Sequence, residues 1–77
     1  MLYSKLMARL TFERDIVTLD YSVYIKGKYQ DIYLGCIYFY PKWNTYVFEP
    51  EQDLVFSWDC LHEIQIKLIE LNRSRKI

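Results

Sequence analysis

Glycine and proline are scarce in this chain, which has only two of each among its 77 residues. Because disordered segments are usually rich in both, their scarcity argues against disorder. Two glycines are also too few for a phosphate-cradling loop, and the chain holds no Cys-x-x-Cys, nucleophile-elbow or His-Glu-x-x-His motif. The sequence therefore predicts no catalytic, cofactor-binding or metal-binding residues, and we expect a protein that is not an enzyme.

Net charge is lacking as well, since ten Lys and Arg residues balance ten Asp and Glu residues. A protein that binds nucleic acid by neutralising phosphates is normally basic, and a DNA mimic is strongly acidic. No apolar run reaches the roughly 18–20 residues that cross a bilayer, and the first residues do not resemble a signal peptide. We therefore expect a soluble, cytoplasmic protein with no membrane partner.

Thiols and imidazoles are few: Cys36, Cys60 and the only histidine, His62. Without a secretory context the cysteines are interpreted as reduced, buried thiols. A disulfide stays open as an alternative, because one cysteine lies on a predicted strand and the other on a predicted helix. Residues two apart on a helix point to opposite sides, so Cys60 and His62 are not expected to form a catalytic pair.

Aromatic residues are abundant: eight Tyr, four Phe and two Trp make up 18% of the chain. Each buried aromatic removes about 150–250 Å² from water, which offsets the small size of the core that such a short chain can build. We therefore expect residues 1–77 to form a single domain.

Apolar periodicity locates the predicted strands. Residues 17–26 alternate apolar and polar side chains and predict a strand, followed by a turn at Gly27 with a positive φ. Residues 31–40 are apolar almost throughout and predict a central strand, in which Gly35 marks a bulge or a close backbone approach. Residues 41–44 predict a turn, and residues 45–48 a short return strand that Pro50 ends.

The C-terminal part predicts an amphipathic helix. Ser57 is a suitable N-cap, and Asp59 in the first turn suits the helix dipole. The predicted apolar face recurs at i, i+3, i+7 and i+10: Leu61, Ile64, Leu68 and Leu71.

The N-terminal segment is ambiguous. Residues 6–12 alternate like a strand that turns at residues 14–15, whereas Leu2, Leu6 and Leu10 also fit a helix. The predicted fold class is α+β, an antiparallel β-meander of three to four strands packed on one C-terminal amphipathic helix. The favoured order is ββββα, and the alternative is αβββα, the order of double-stranded-RNA-binding domains.

One helix covers only one face of a four-stranded sheet, so some strand aromatics should be exposed. Ile66 and Ile69 also fall outside the predicted apolar face of the helix. The candidate partner-binding residues are Tyr24, Trp43, Tyr46, Ile66 and Ile69. Such residues could contact a protein partner or a second copy in a homodimer, or merely cap the core. Rings on an open sheet face could instead stack on single-stranded nucleic acid, a reading that the even charge disfavours.

Residues 35–40, 46–50 and 61–72 form a glycine-started strand, an aromatic return strand ending in proline, and a helix. In this pattern the C-terminal half resembles small α+β proteins encoded by phages and prophages. The resemblance implies a binding role, as in host-defence inhibitors such as anti-CRISPRs, small regulators or accessory factors, and it assigns no residue. The even charge departs from acidic DNA-mimic inhibitors and from basic arm-binding domains. We expect a small non-enzymatic protein-interaction module, with a single-stranded nucleic-acid binder as the alternative.

Overall fold

The computed structural model describes residues 10–75. Four strands, β1 (Leu10–Arg14), β2 (Tyr21–Ile25), β3 (Ile32–Tyr40) and β4 (Thr45–Pro50), precede one helix, α1 (Trp58–Arg75). The strands pair antiparallel in the order β1-β2-β3-β4. The predicted ββββα order is confirmed for the described chain, and the question of strand or helix at residues 5–9 lies outside it.

The predicted strand at residues 17–26 is wrong in its first half. The Asp15 carboxylate accepts the backbone N–H groups of Val17 at 2.8 Å and Thr18 at 3.2 Å, and Leu19 has a φ of 67°. When an aspartate carboxylate accepts the backbone N–H of the residue two positions later, it forms a turn, and that turn takes the place of strand pairing. The chain therefore turns after β1, and β2 begins at Tyr21.

The two glycines serve different purposes. Gly35 has a φ of 149°, and a Cβ there would lie 2.4 Å from the Glu49 carbonyl oxygen, so the predicted close approach is confirmed. Gly27 does not have the predicted positive φ. Instead, a Cβ at Gly27 would lie 2.0 Å from the Gln30 carbonyl oxygen. The β2–β3 connection needs a glycine because its own backbone folds closely over that position.

A bulge lies next to Gly35. Val23 pairs with Gly35, whereas the next residue of β2, Tyr24, pairs with Tyr33. Leu34 is therefore the extra residue of β3 at this point, and the side-chain alternation of the strand shifts by one there.

The core lies between α1 and one face of the sheet. Val23, Leu34, Ile37 and Ile64 are buried, and Leu68 and Leu71 pack against them as predicted. Leu61 departs from the prediction, because it is 49% exposed. Phe56, from the connection before α1, also packs against the core, with its ring 5.8 Å from that of Phe48.

α1 begins directly after Ser57, as predicted, but the Ser57 hydroxyl is a hydrogen-bond donor and not the acceptor that the predicted N-cap would supply. The Ser57 carbonyl accepts the Leu61 N–H at 3.1 Å, and the Ser57 hydroxyl donates to the Asp59 carboxylate. Asp59 also accepts the Cys60 N–H at 3.1 Å. The Asp59 carboxylate therefore satisfies one of the N–H groups that have no partner inside the helix. Within residues 10–75, no helix combines the length and the apolarity needed to span a membrane.

Candidate protein-binding surface

Side-chain alternation separates the two faces of the sheet. On β3, Ile37 is buried towards α1, so Cys36 and Tyr38 point to the opposite face. We call this opposite side the open face, because the helix lies on the other one. The strand register gives the residues that lie beside Cys36 on this face: Ser22 on β2 and Glu49 on β4.

Four tyrosines of the open face and one tryptophan of the β3–β4 turn, which packs on the last of them, form a strip: Tyr24, Tyr33, Tyr38, Tyr40 and Trp43. We call them the aromatic strip. At one end the rings of Tyr24 and Tyr33 lie 5.5 Å apart, edge to face. At the other end the Tyr40 ring lies 6.5 Å from that of Tyr38 and 5.0 Å from that of Trp43. Edge-to-face contacts at these separations are favourable, so the rings hold one another in place.

Carboxylates lie near Cys36 and Tyr38 of the open face. Burial raises the pKa of the Cys36 thiol, the charges of Glu49, Asp20 and Glu51 raise it further, and a hydrogen bond with Tyr33 opposes the rise. The Tyr38 hydroxyl donates to Glu49 Oε1 at 2.9 Å, a bond that raises the pKa of Tyr38. Because negative charges disfavour a nearby anion, the part of each rise that comes from carboxylate charge, Glu49 for both groups with Asp20 and Glu51 for Cys36, indicates a negative potential over this part of the open face.

The structure separates Tyr46 from the other predicted strand aromatics. Tyr24 and Trp43 belong to the aromatic strip, and Trp43 is 70% exposed. Tyr46 lies on the helix side, where it packs against the core and its ring lies 5.6 Å from that of Phe39. The expectation that Tyr46 shares a surface with Trp43 is therefore wrong, because the pleat of β4 turns its side chain towards α1.

The outward side of α1 carries the other predicted residues. Ile66 is 50% exposed and Ile69 44% exposed, so both lie outside the core as expected. Trp58 at the start of the helix is 62% exposed. This group, with the exposed Leu61, forms a second apolar surface, which we call the outward helix face.

The thiols and the histidine do not form a catalytic cluster. Cys36 lies on the open face and Cys60 on α1, and both are free thiols. His62 is exposed on α1. Among residues 10–75, no three His, Cys, Asp or Glu side chains come together in a way that could hold a metal ion.

Sequence reasoning missed three members of the aromatic strip as site residues: Tyr33, Tyr38 and Tyr40. The i, i+2 spacing of Tyr38 and Tyr40 was a usable signal, because such residues share one face of a strand. Tyr33 had no such signal. Only the bulge at Leu34 brings it to the same face as Tyr38.

The fold and the surface define a small ββββα domain with an aromatic, acidic open face. Comparison with protein-family models, with curated proteins and with solved structures found no match to this chain.

Proposed function

We propose that the protein is a small non-enzymatic interaction module that binds a partner protein through its open face. The observation that carries this proposal is the aromatic strip, four rings on the sheet face opposite α1 with Trp43 of the β3–β4 turn packed on the last of them. Tyrosine and tryptophan are enriched at protein interfaces and their hot spots, where they supply large contact areas at low entropic cost. The partner surface would carry basic side chains, since the charges of Glu49, Glu51 and Asp20 act on Cys36 of the open face.

A phage-type regulator or host-defence inhibitor is the role we propose for such a module, given the resemblance of residues 35–72. Inhibitors and regulators of this kind act by occupying a surface of another protein. A rigid sheet that presents prearranged rings suits that task, because little conformational entropy is lost on binding.

Single-stranded nucleic acid is the competing ligand for the same rings, because unpaired bases stack on exposed aromatics. The carboxylates oppose it. Phosphates approaching Tyr38 would meet the charge of Glu49, which accepts the Tyr38 hydroxyl hydrogen bond at 2.9 Å. We therefore favour the protein partner.

The test is selection from a random peptide library displayed on beads, with the wild-type chain as bait. We expect the selected peptides to be enriched in arginine and lysine. The double variant Tyr24→Ala/Trp43→Ala should lose them, while Trp58→Ala, which removes an exposed tryptophan from the outward helix face, should keep them. Selected peptides that bind the double variant as well as the wild type would overturn the proposal.

The nucleic-acid alternative has its own readout. Quenching of tyrosine fluorescence by oligothymidylate at low salt, lost in the same double variant and weakened steeply by added salt, would replace the protein partner with nucleic acid.

We also propose that two copies associate through the outward helix face. Trp58 and Ile69 are eleven residues apart, about three helical turns, and so lie almost on one line along α1. In an antiparallel pair each copy sets its Trp58 against Ile69 of the other. In this arrangement Asp59 of one copy is level with Leu68 of the other, so the acidic first turn lies about 7.5 Å along the axis from Arg73 in the basic last turn.

A further inference from the structure

The aromatic strip ends in a cleft beside the β3–β4 hairpin. The cleft has a volume of 280 Å³, and its lining includes Tyr38, Tyr40, Trp43 and Glu49. We call it the ring cleft. Its neighbouring rings are nearly perpendicular, with interplanar angles of 79° for Tyr38 and Tyr40 and 80° for Tyr40 and Trp43. The rings therefore form walls that meet at angles and not a flat stack.

Rings set at angles can present their faces to one shared cation. The face of an aromatic ring carries negative potential, and a cation within about 6 Å of several ring faces gains from each of them. The Glu49 carboxylate adds a full negative charge at the same place. Its orientation is held by the hydrogen bond from the Tyr38 hydroxyl at 2.9 Å.

The chain places its own cations on other rings. Lys67 lies 5.6 Å from the ring centre of Phe12 and 5.1 Å from that of Tyr21. Arg75 lies 4.2 Å from the ring centre of Phe39. Within residues 10–75, no lysine or arginine lies over a ring of the ring cleft.

We propose that the ring cleft binds an organic cation, either the guanidinium group of an arginine or an alkylated ammonium group, carried by the partner protein. This inference rests on the proposed function and names the group that the open face recognises. Guanidinium groups stack on aromatic rings and pair with carboxylates, and alkylated ammonium groups are bound by rings set at angles around them.

The experiment is a titration of the isotope-labelled protein followed through the indole N–H resonance of Trp43. The probes are choline, acetylarginine amide and the dimethylbutanol in which carbon replaces the nitrogen of choline. We expect saturable shifts with at least one of the two cations and binding at least about tenfold weaker for the uncharged isostere. The tighter of the two cations identifies the class of side chain.

Variants test the assignment to the ring cleft. Glu49→Gln keeps the size and a hydrogen-bond acceptor but removes the charge, and should weaken cation binding by about three- to tenfold. Tyr40→Ala, which removes one wall, should abolish the Trp43 shift, whereas Trp58→Leu should leave it unchanged. Equal binding of the cations and the isostere, or no effect of Glu49→Gln, would overturn the cation site.

The two proposals fail separately. Peptide capture that depends on Trp43, combined with no response to either cation, would remove the cation site and leave the protein-binding function standing. A charge-dependent response to choline or acetylarginine amide, with no captured peptide, would remove the protein-binding function and leave the cation site standing.

Discussion

Asn72 on α1 holds the edge of β4 through the backbone of Tyr46. Its Oδ1 accepts the Tyr46 N–H at 3.0 Å, and its Nδ2 donates to the Leu68 carbonyl at 2.9 Å. β4 is the last strand of the described sheet, so this N–H points away from β3. Because free strand edges invite pairing with other chains, the amide both anchors the helix and occupies part of the edge.

Replacing Asn72 should therefore cost stability. Asn72→Ala leaves the partly buried Tyr46 N–H without its acceptor, and we expect the free energy of unfolding to fall by about 1–3 kcal/mol. Ser74→Ala is a matched control, because the Ser74 hydroxyl also donates to a carbonyl four residues back, at 3.1 Å, but does not touch the sheet. Urea unfolding measures both, and equal losses would contradict the bridging role of Asn72.

Gly35 should not tolerate a side chain. Alanine would place its Cβ 2.4 Å from the Glu49 carbonyl oxygen, at a φ of 149° that non-glycine residues rarely adopt. We expect Gly35→Ala to lower the free energy of unfolding by about 2–4 kcal/mol. Ser22→Ala, which only removes a hydroxyl from the neighbouring strand, should change it by less than about 0.5 kcal/mol. Thermal unfolding that shows similar midpoints for both variants would contradict this account.

Glu63 should make stability fall as pH rises. Burial raises the pKa of Glu63 above its ordinary 4.5, and the charge of Asp59 raises it further, whereas the Leu10 N–H and His62 lower it. A carboxyl with a higher pKa in the folded state binds its proton more tightly when folded. Its contribution to stability is therefore complete below the ordinary pKa and is lost as pH rises through the folded value.

Glu63→Gln tests this dependence, because the amide oxygen can still accept the Leu10 N–H. Between about pH 4 and about pH 7, the variant should lose less stability, or gain more, than the wild type. Urea unfolding across that range measures the difference, and parallel curves for the two proteins would contradict it.

Cys36 should report the charge of the open face. In a Cys60→Ser background Cys36 is the sole thiol, since the chain has two cysteines. Glu49→Gln/Glu51→Gln removes two charges that raise the pKa of Cys36. We expect alkylation by iodoacetamide at about pH 8 to become about two- to fivefold faster, because the thiolate is the reactive form. Glu70→Gln on α1 should leave the rate unchanged, and an unchanged rate in the double variant would contradict an acidic open face.

Self-association should depend on the outward helix face. Light scattering across a concentration series should give about twice the chain mass of 9.5 kDa for the wild type. Ile66→Asp/Ile69→Asp should give the single-chain mass, because each copy would bring buried charges to the contact. Tyr24→Ala/Trp43→Ala should remain dimeric. A wild-type protein that stays monomeric at every concentration would contradict the dimer.

Periodicity in the sequence was sufficient for the fold class. The apolar residues of β3, the return strand β4 and the helix that begins after Ser57 all follow from local preferences that agree with the tertiary structure. The first half of the predicted strand at residues 17–26 failed because alternation counts only side chains. Alternation carries no information on the backbone N–H groups of Val17 and Thr18, which donate to the Asp15 carboxylate instead of to a neighbouring strand.

The sequence alone determined that some aromatic side chains would stay uncovered. Composition sets the amount of aromatic surface, and a single helix covers only one face of the sheet. Only the tertiary structure decided which rings those are. The bulge at Leu34 moves Tyr33 to the open face beside Tyr24, and the pleat of β4 turns Tyr46 to the helix. Side-chain direction in a strand has a period of two, so one extra residue reverses it, and the position of that residue depends on pairing with a neighbouring strand.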